Sequence, residues 1–157
     1  MILDRDGGPE LPRPTATPHE LPVPGVVPID HTADLGFEVT APDLAELVRR
    51  AVLGMDWLLR EDDPPPGLEV RTLDVRASDP PGLLRAALRE ILLWHEIEAF
   101  SPSDLEDIQA SATRLRAVVR GGVPDRPPVR EIKGVTLHGL AAERRGRGWW
   151  GRVVFDV

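Results

Sequence analysis

Two stretches of this chain carry apolar residues at the three-and-four spacing of a helix face, and most of the chain after the second alternates with a period of two. That order limits the architecture more than any other feature. The first stretch, Leu44, Leu47, Val48, Ala51, Val52, Met55, Leu58 and Leu59, opens on Asp43-Leu44-Ala45-Glu46, an aspartate cap with glutamate three residues on. Glu61-Asp62-Asp63 and three prolines end it in an exposed loop. The second, Leu83, Leu84, Ala87, Leu88, Ile91 and Leu92, follows Asp79-Pro80, a cap with proline at the first helical position, and runs to Ala99. Strand-like alternation surrounds both. Phe37 and Val39 form one run; Leu68, Val70, Leu73 and Val75 form another, whose parity shifts once as a bulge would cause. Residues 105 to 120 read as a long strand with an irregularity near Thr113, and Ile132 to Ala142 and Trp149 to Val157 close the chain around an Arg/Gly turn. The order strand, helix, strand, helix, three strands lacks the regular alternation of a parallel sheet. It predicts an α+β fold: a largely antiparallel β-sheet covered by two amphipathic helices.

Composition sets the remaining bounds. Residues 1 to 26 hold six of the prolines (Pro9, Pro12, Pro14, Pro18, Pro22, Pro24) with Gly7, Gly8 and Gly25 and no apolar period, which predicts a disordered N-terminal arm. Residues 27 to 157 then form one domain, since 157 residues at 41% hydrophobic content suit a single core. No apolar run approaches the length of a membrane span and no export leader is recognisable, so a cytoplasmic protein without membrane contact is expected. With no cysteine, disulfides, thiolate metal sites and a cysteine nucleophile are excluded, and any metal must be held by oxygen or imidazole. A net charge of −7 opposes binding to a phosphate backbone, which leaves at most weak or indirect contact with RNA.

The chemistry concentrates at two places. In His31-Thr32-Ala33-Asp34-Leu35-Gly36-Phe37 a turn-prone segment runs into a strand, so the Asp34 carboxylate belongs at the strand mouth; a capped turn and a packed histidine are the simpler reading of these residues alone. At the other end stands Ile132-Lys133-Gly134-Val135-Thr136-Leu137-His138. Of the 19 lysine and arginine residues only Lys133 is lysine, which suggests a position that wants a compact ammonium on a flexible stem and not a planar fork. In the last strand the period of two puts Asp156 on the face of Trp150, Arg152 and Val154, with the α-carboxylate of Val157 one residue away. If the Asp34 strand end lies beside them, three carboxylates converge. Such a cluster calls for a cation, and hard oxygen donors favour calcium or magnesium. The chain lacks a nucleophile elbow, a phosphate-cradling glycine loop and a zinc motif.

Taken together, the HTAD-x-G opening and the Lys-Gly-Val-Thr-Leu-His stretch, with its tight hairpin and its last strand ending in Asp plus one apolar residue, resemble the archease family over residues 27 to 157. Gly134 stands where that family often has alanine, and Leu137 where it often has tyrosine. The resemblance implies a metal site formed by Asp34, Asp156 and the terminal carboxylate of Val157, calcium being the first choice, with His31, Lys133 and His138 on the functional face. It also implies an accessory protein and not an enzyme, one that promotes guanylylation and multiple turnover of an RtcB-type tRNA-splicing RNA ligase. A stand-alone metal-dependent phosphoester hydrolase using Asp34, Asp156 and His31 or His138, and a chaperone-like adaptor of an RNA-modifying enzyme, are the alternatives.

Overall fold

A computed structural model describes residues 21–29 and 34–157. His31 and most of the proline-rich arm fall outside the described residues. The elements in order are β1 (Val26–Pro28), β2 (Leu35–Ala41), α1 (Leu44–Arg60), β3 (Glu69–Arg76), α2 (Pro80–Glu98), β4 (Ser101–Ala110), β5 (Arg114–Gly122), β6 (Gly134–Val135), β7 (Ala141–Arg145) and β8 (Gly148–Asp156). All pairings are antiparallel, as the sequence predicts. They divide into two sheets, one with the path β1-β2-β8-β6 and β7 also on β8, the other β3-β5-β4.

Both helices form where their caps place them. Asp43 accepts from the Glu46 N–H at 2.8 Å and Asp79 from the Gly82 N–H at 2.8 Å, each satisfying a donor that the first helical turn leaves open. Each helix touches strands of both sheets, so the core lies between the sheets and not on one side of a single sheet. Leu47, Val48, Ala51, Val52 and Met55 of α1 are fully buried, as are Leu83, Leu84, Ala87 and Leu88 of α2. At about 2 kcal/mol for each large side chain, this burial is the main favourable contribution to the fold. Phe37 of β2 and Phe155 of β8 meet edge to face inside it, centroids 5.6 Å apart.

Four expectations are corrected. The run from 105 to 120 is a hairpin: Ser111 accepts the Thr113 and Arg114 N–H groups through its hydroxyl, and its own N–H bonds the Arg114 carbonyl at 2.9 Å, reversing the chain between β4 and β5. The proposed strand from Ile132 to Ala142 is interrupted, because residues 137–140 turn away with Gly139 at a φ of +72° before β7 begins. No bulge breaks β3; Leu73 faces the core while Leu68 and Val70 are exposed, so the parity shift reflects apolar residues on the solvent face. The bulges sit in β4, between Pro102 and Asp104 and between Glu106 and Gln109. At the other end, Val23 and Val26 are buried and Gly25 accepts the Thr40 N–H at 3.0 Å, so ordered structure reaches back into residues 21 to 26, which composition assigns to the arm.

The solvent face of the three-stranded sheet is held by cross-strand ion pairs. Arg114 donates twice to Asp74, at 2.9 and 3.1 Å, and Arg120 pairs with Glu106 at 2.7 Å. The Arg114 hydrogen bond holds the Asp74 carboxyl below the usual carboxylate range. A depressed folded-state pKa contributes stability above the unfolded value of about 3.9 and loses it as pH falls through the folded value. Asp74→Asn should therefore shrink the fall in melting temperature between roughly pH 5 and pH 3, the pair being exposed and its effect small. An unchanged pH profile would show that the pair contributes nothing.

Candidate metal and partner site

The β2–β8 ladder carries the site. It pairs Leu35 with Phe155, Gly36 with Val154 and Phe37 with Val153, so the next residue on each strand is Asp34 on one and Asp156 on the other. Both aspartates are exposed, as is Val157. Gly36 keeps the strands at this spacing: a β-carbon there would lie 2.2 Å from the Val153 carbonyl oxygen and 3.0 Å from Ile29. The glycine two residues after the aspartate of the HTAD stretch is thus a packing requirement at the site's base.

On the other edge of β8, Gly134 pairs with Asp156 and Val135 with Phe155. Lys133 donates its backbone N–H to the Asp156 carbonyl at 2.7 Å, and Thr136 donates to Val154 at 3.0 Å. Arg85 of α2 donates to the Val135 carbonyl at 2.7 Å, which ties the short β6 segment to the helix. Asp156 therefore has the start of β2 on one side and Lys133-Gly134 on the other. Three of the residues singled out from the sequence, Asp34, Asp156 and Lys133, are brought to one end of one sheet.

His138 is placed differently. It lies exposed on the turn between β6 and β7, its carbonyl accepting from the Thr136 hydroxyl at 3.1 Å, and the adjoining Gly139 faces Val154 and Arg152, not Asp156. Among the described residues no three His, Asp or Glu side chains stand close enough to hold a metal. The donors at this sheet end are two carboxylates, which fit a hard cation if a third oxygen group such as the Val157 carboxylate joins them.

Periodicity alone does not reveal two further features, the first of them at the opposite end of β8 from Asp156. Trp150 donates its indole N–H to Glu38 at 3.2 Å on the neighbouring strand, and the Arg145 guanidinium stacks 3.6 Å from the Trp150 ring centroid. Both follow from register: Thr40 opposes Trp150 on β2, while Glu143 opposes it on β7. The second feature is a cleft on α2 that Lys133 also lines, with Arg76 and Arg89. Arg89 falls on the exposed row of α2 with Leu93 and Glu96, a row whose apolar member is the only sequence signal of a contact there.

Comparison with known proteins decides the family. The model of the Archease protein family matches residues 28–157. The chain belongs to the archease family. The protein archease of Archaeoglobus fulgidus is 30% identical over 133 residues, 82% of this chain and 96% of that protein. That of Thermococcus gammatolerans is 28% identical over 127 residues, 77% of this chain and 89% of its own length. Among solved structures, Methanobacterium thermoautotrophicum protein 1598 superposes with a TM-score of 0.71 at 24% identity, covering 85% of this chain and 99% of that one. The Thermotoga maritima archease, described as a possible chaperone, gives 0.59 at 22%, covering 83% and 95%. At such identities these two structures establish the shared fold. No helix among the described residues is long and apolar enough to cross a membrane.

Proposed function

We propose that this chain is an accessory protein that binds a hard divalent cation, calcium before magnesium, through Asp34, Asp156 and the Val157 carboxylate, and that it promotes guanylylation of an RtcB-type RNA ligase. The observation that carries the reading is the β2–β8 register, which makes Asp34 and Asp156 neighbours at one sheet end in a member of the archease family. A bound cation would supply positive charge to oxygen atoms of the partner's phosphate chemistry. The chain's own contribution is positional: Gly36 sets the strand spacing, and the Lys133 N–H fixes the carbonyl of Asp156. Lys133 itself is exposed on the same edge. His31, which lies outside the described residues, and His138 belong to the proposed partner face.

The test is single-turnover guanylylation of the cognate ligase with and without this protein. Asp156→Ala should lose the stimulation. Lys133→Arg keeps the charge but replaces a compact ammonium by a planar fork, and should also lose most of it, while exposure of the residue keeps the melting temperature within about 1 °C. Full stimulation by the Arg variant would show that only charge matters at this position. Phosphoester turnover by the isolated protein would overturn the accessory reading in favour of a hydrolase.

A further inference from the structure

Lys133 belongs to two places. Its backbone is bonded to Asp156, and the residue also lines a cleft of about 390 Å³ between α2, the end of β3 and the start of β6. Arg76 and Arg89 line the same cleft, so three cations surround it against two carboxylates, Glu90 and Glu96. Several arginines elsewhere are neutralised by a neighbour: Arg49, Arg60, Arg71, Arg114 and Arg120 each sit within 3 Å or so of a carboxylate. Among the described residues, no carboxylate lies within the 4.0 Å ion-pair distance of Arg76, Arg89 or Lys133. In a protein of net charge −7 this is a local excess of positive charge, confined to a concave site.

The dimensions and walls narrow the ligand. About 390 Å³ falls within the range of small-molecule pockets. Three cationic groups suit the several acceptor oxygens of a phosphate better than the two of a carboxylate. Val75, Ala86 and Leu93 add an apolar wall for a carbon body, and Leu93 is 46% exposed, more than a core leucine of α2 would be.

We propose that this cleft binds the phosphate end of a small organic phosphate, of mononucleotide size, through Arg76, Arg89 and Lys133. The inference rests on the cleft and is independent of metal at Asp34 and Asp156. Titration calorimetry on the full chain in chelator-containing buffer, with AMP, inorganic phosphate and succinate as probes, tests it. AMP should bind with one site per chain and more tightly than inorganic phosphate, and succinate should not bind. Arg89→Ala and Arg76→Ala, both at exposed positions, should each weaken AMP about tenfold, the value of one charge-assisted hydrogen bond. Arg116→Ala, on the solvent face of the three-stranded sheet and paired with Asp74, should leave binding unchanged. No AMP binding at millimolar concentration, equal binding by succinate, or equal binding by the Arg89 variant would each overturn the proposal.

Discussion

Calcium should raise the melting temperature of this protein by several degrees, and Asp34→Asn should erase the rise. The two aspartates occupy neighbouring positions at the ends of adjacent strands, so in the absence of a cation their charges repel across the sheet edge. A ligand that binds only the folded chain adds about 2.7 kcal/mol of stability at a hundredfold excess over its Kd, which for a domain of this size is about 5–10 °C. Replacing Asp34 by the neutral amide removes both the like charge opposite Asp156 and a proposed ligand. The variant should therefore match or exceed the wild type without calcium and fall below it with calcium, a crossing that simple destabilisation does not produce. Extending the chain beyond Val157 converts its α-carboxylate to an amide and should act in the same direction, while an N-terminal tag should not. A calcium-induced shift of equal size in wild type and Asp34→Asn would remove the aspartates from the site.

The parts of this fold legible in the sequence are those decided locally. Asp43 and Asp79 cap their helices within one turn, and the three-and-four spacing places both helices to within a residue or two. Strands are harder to read wherever their pattern depends on what covers them. β5 carries Arg114, Arg116 and Arg120 outward and Leu115, Ala117 and Val119 inward, a clean alternation. β4 does not, because its two bulges reset the register, and the turn from β4 into β5 is written in a serine hydroxyl that ordinary turn signals do not mark. For β3, the exposed Val70 imitates a core residue, since hydrophobic residues at the surface carry no sign of their exposure.

The candidate site shows the same division. That Asp34 and Asp156 stand at strand ends is readable from alternation alone; that they are neighbours is a fact of β2–β8 pairing between residues more than a hundred positions apart. The separation of His138 from them follows from the same register: Gly134 opposes Asp156, so His138 lies four residues further along, in the turn that Gly139 completes. Lys133 stands out by rarity, but the arginines that share its cleft come from β3 and α2 and have no spacing that announces them.

The largest effect of a single substitution on stability is expected at Asp56, far from either site. Asp56 and Arg60 form an i,i+4 pair at the end of α1, 3.0 Å apart, with side chains only 7% and 2% exposed. Arg60 also donates to the Asp63 carbonyl at 3.0 Å, which fastens the acidic loop after the helix. Asp56→Ala leaves a buried guanidinium with one backbone acceptor, and removal of one partner of such a pair costs about 3–5 kcal/mol. Replacing both, Asp56→Leu with Arg60→Met, fills similar volume without charge and should recover most of that loss. Urea unfolding measures the two variants directly, with an unchanged slope showing that the unfolded chain is the same. Because the double variant lacks the Arg60 bond to Asp63, it should exchange the amides of residues 62 to 67 faster even where its global stability matches the wild type. A loss below about 1 kcal/mol in Asp56→Ala would mean that water reaches Arg60 in the folded protein and that the pair is not buried in solution.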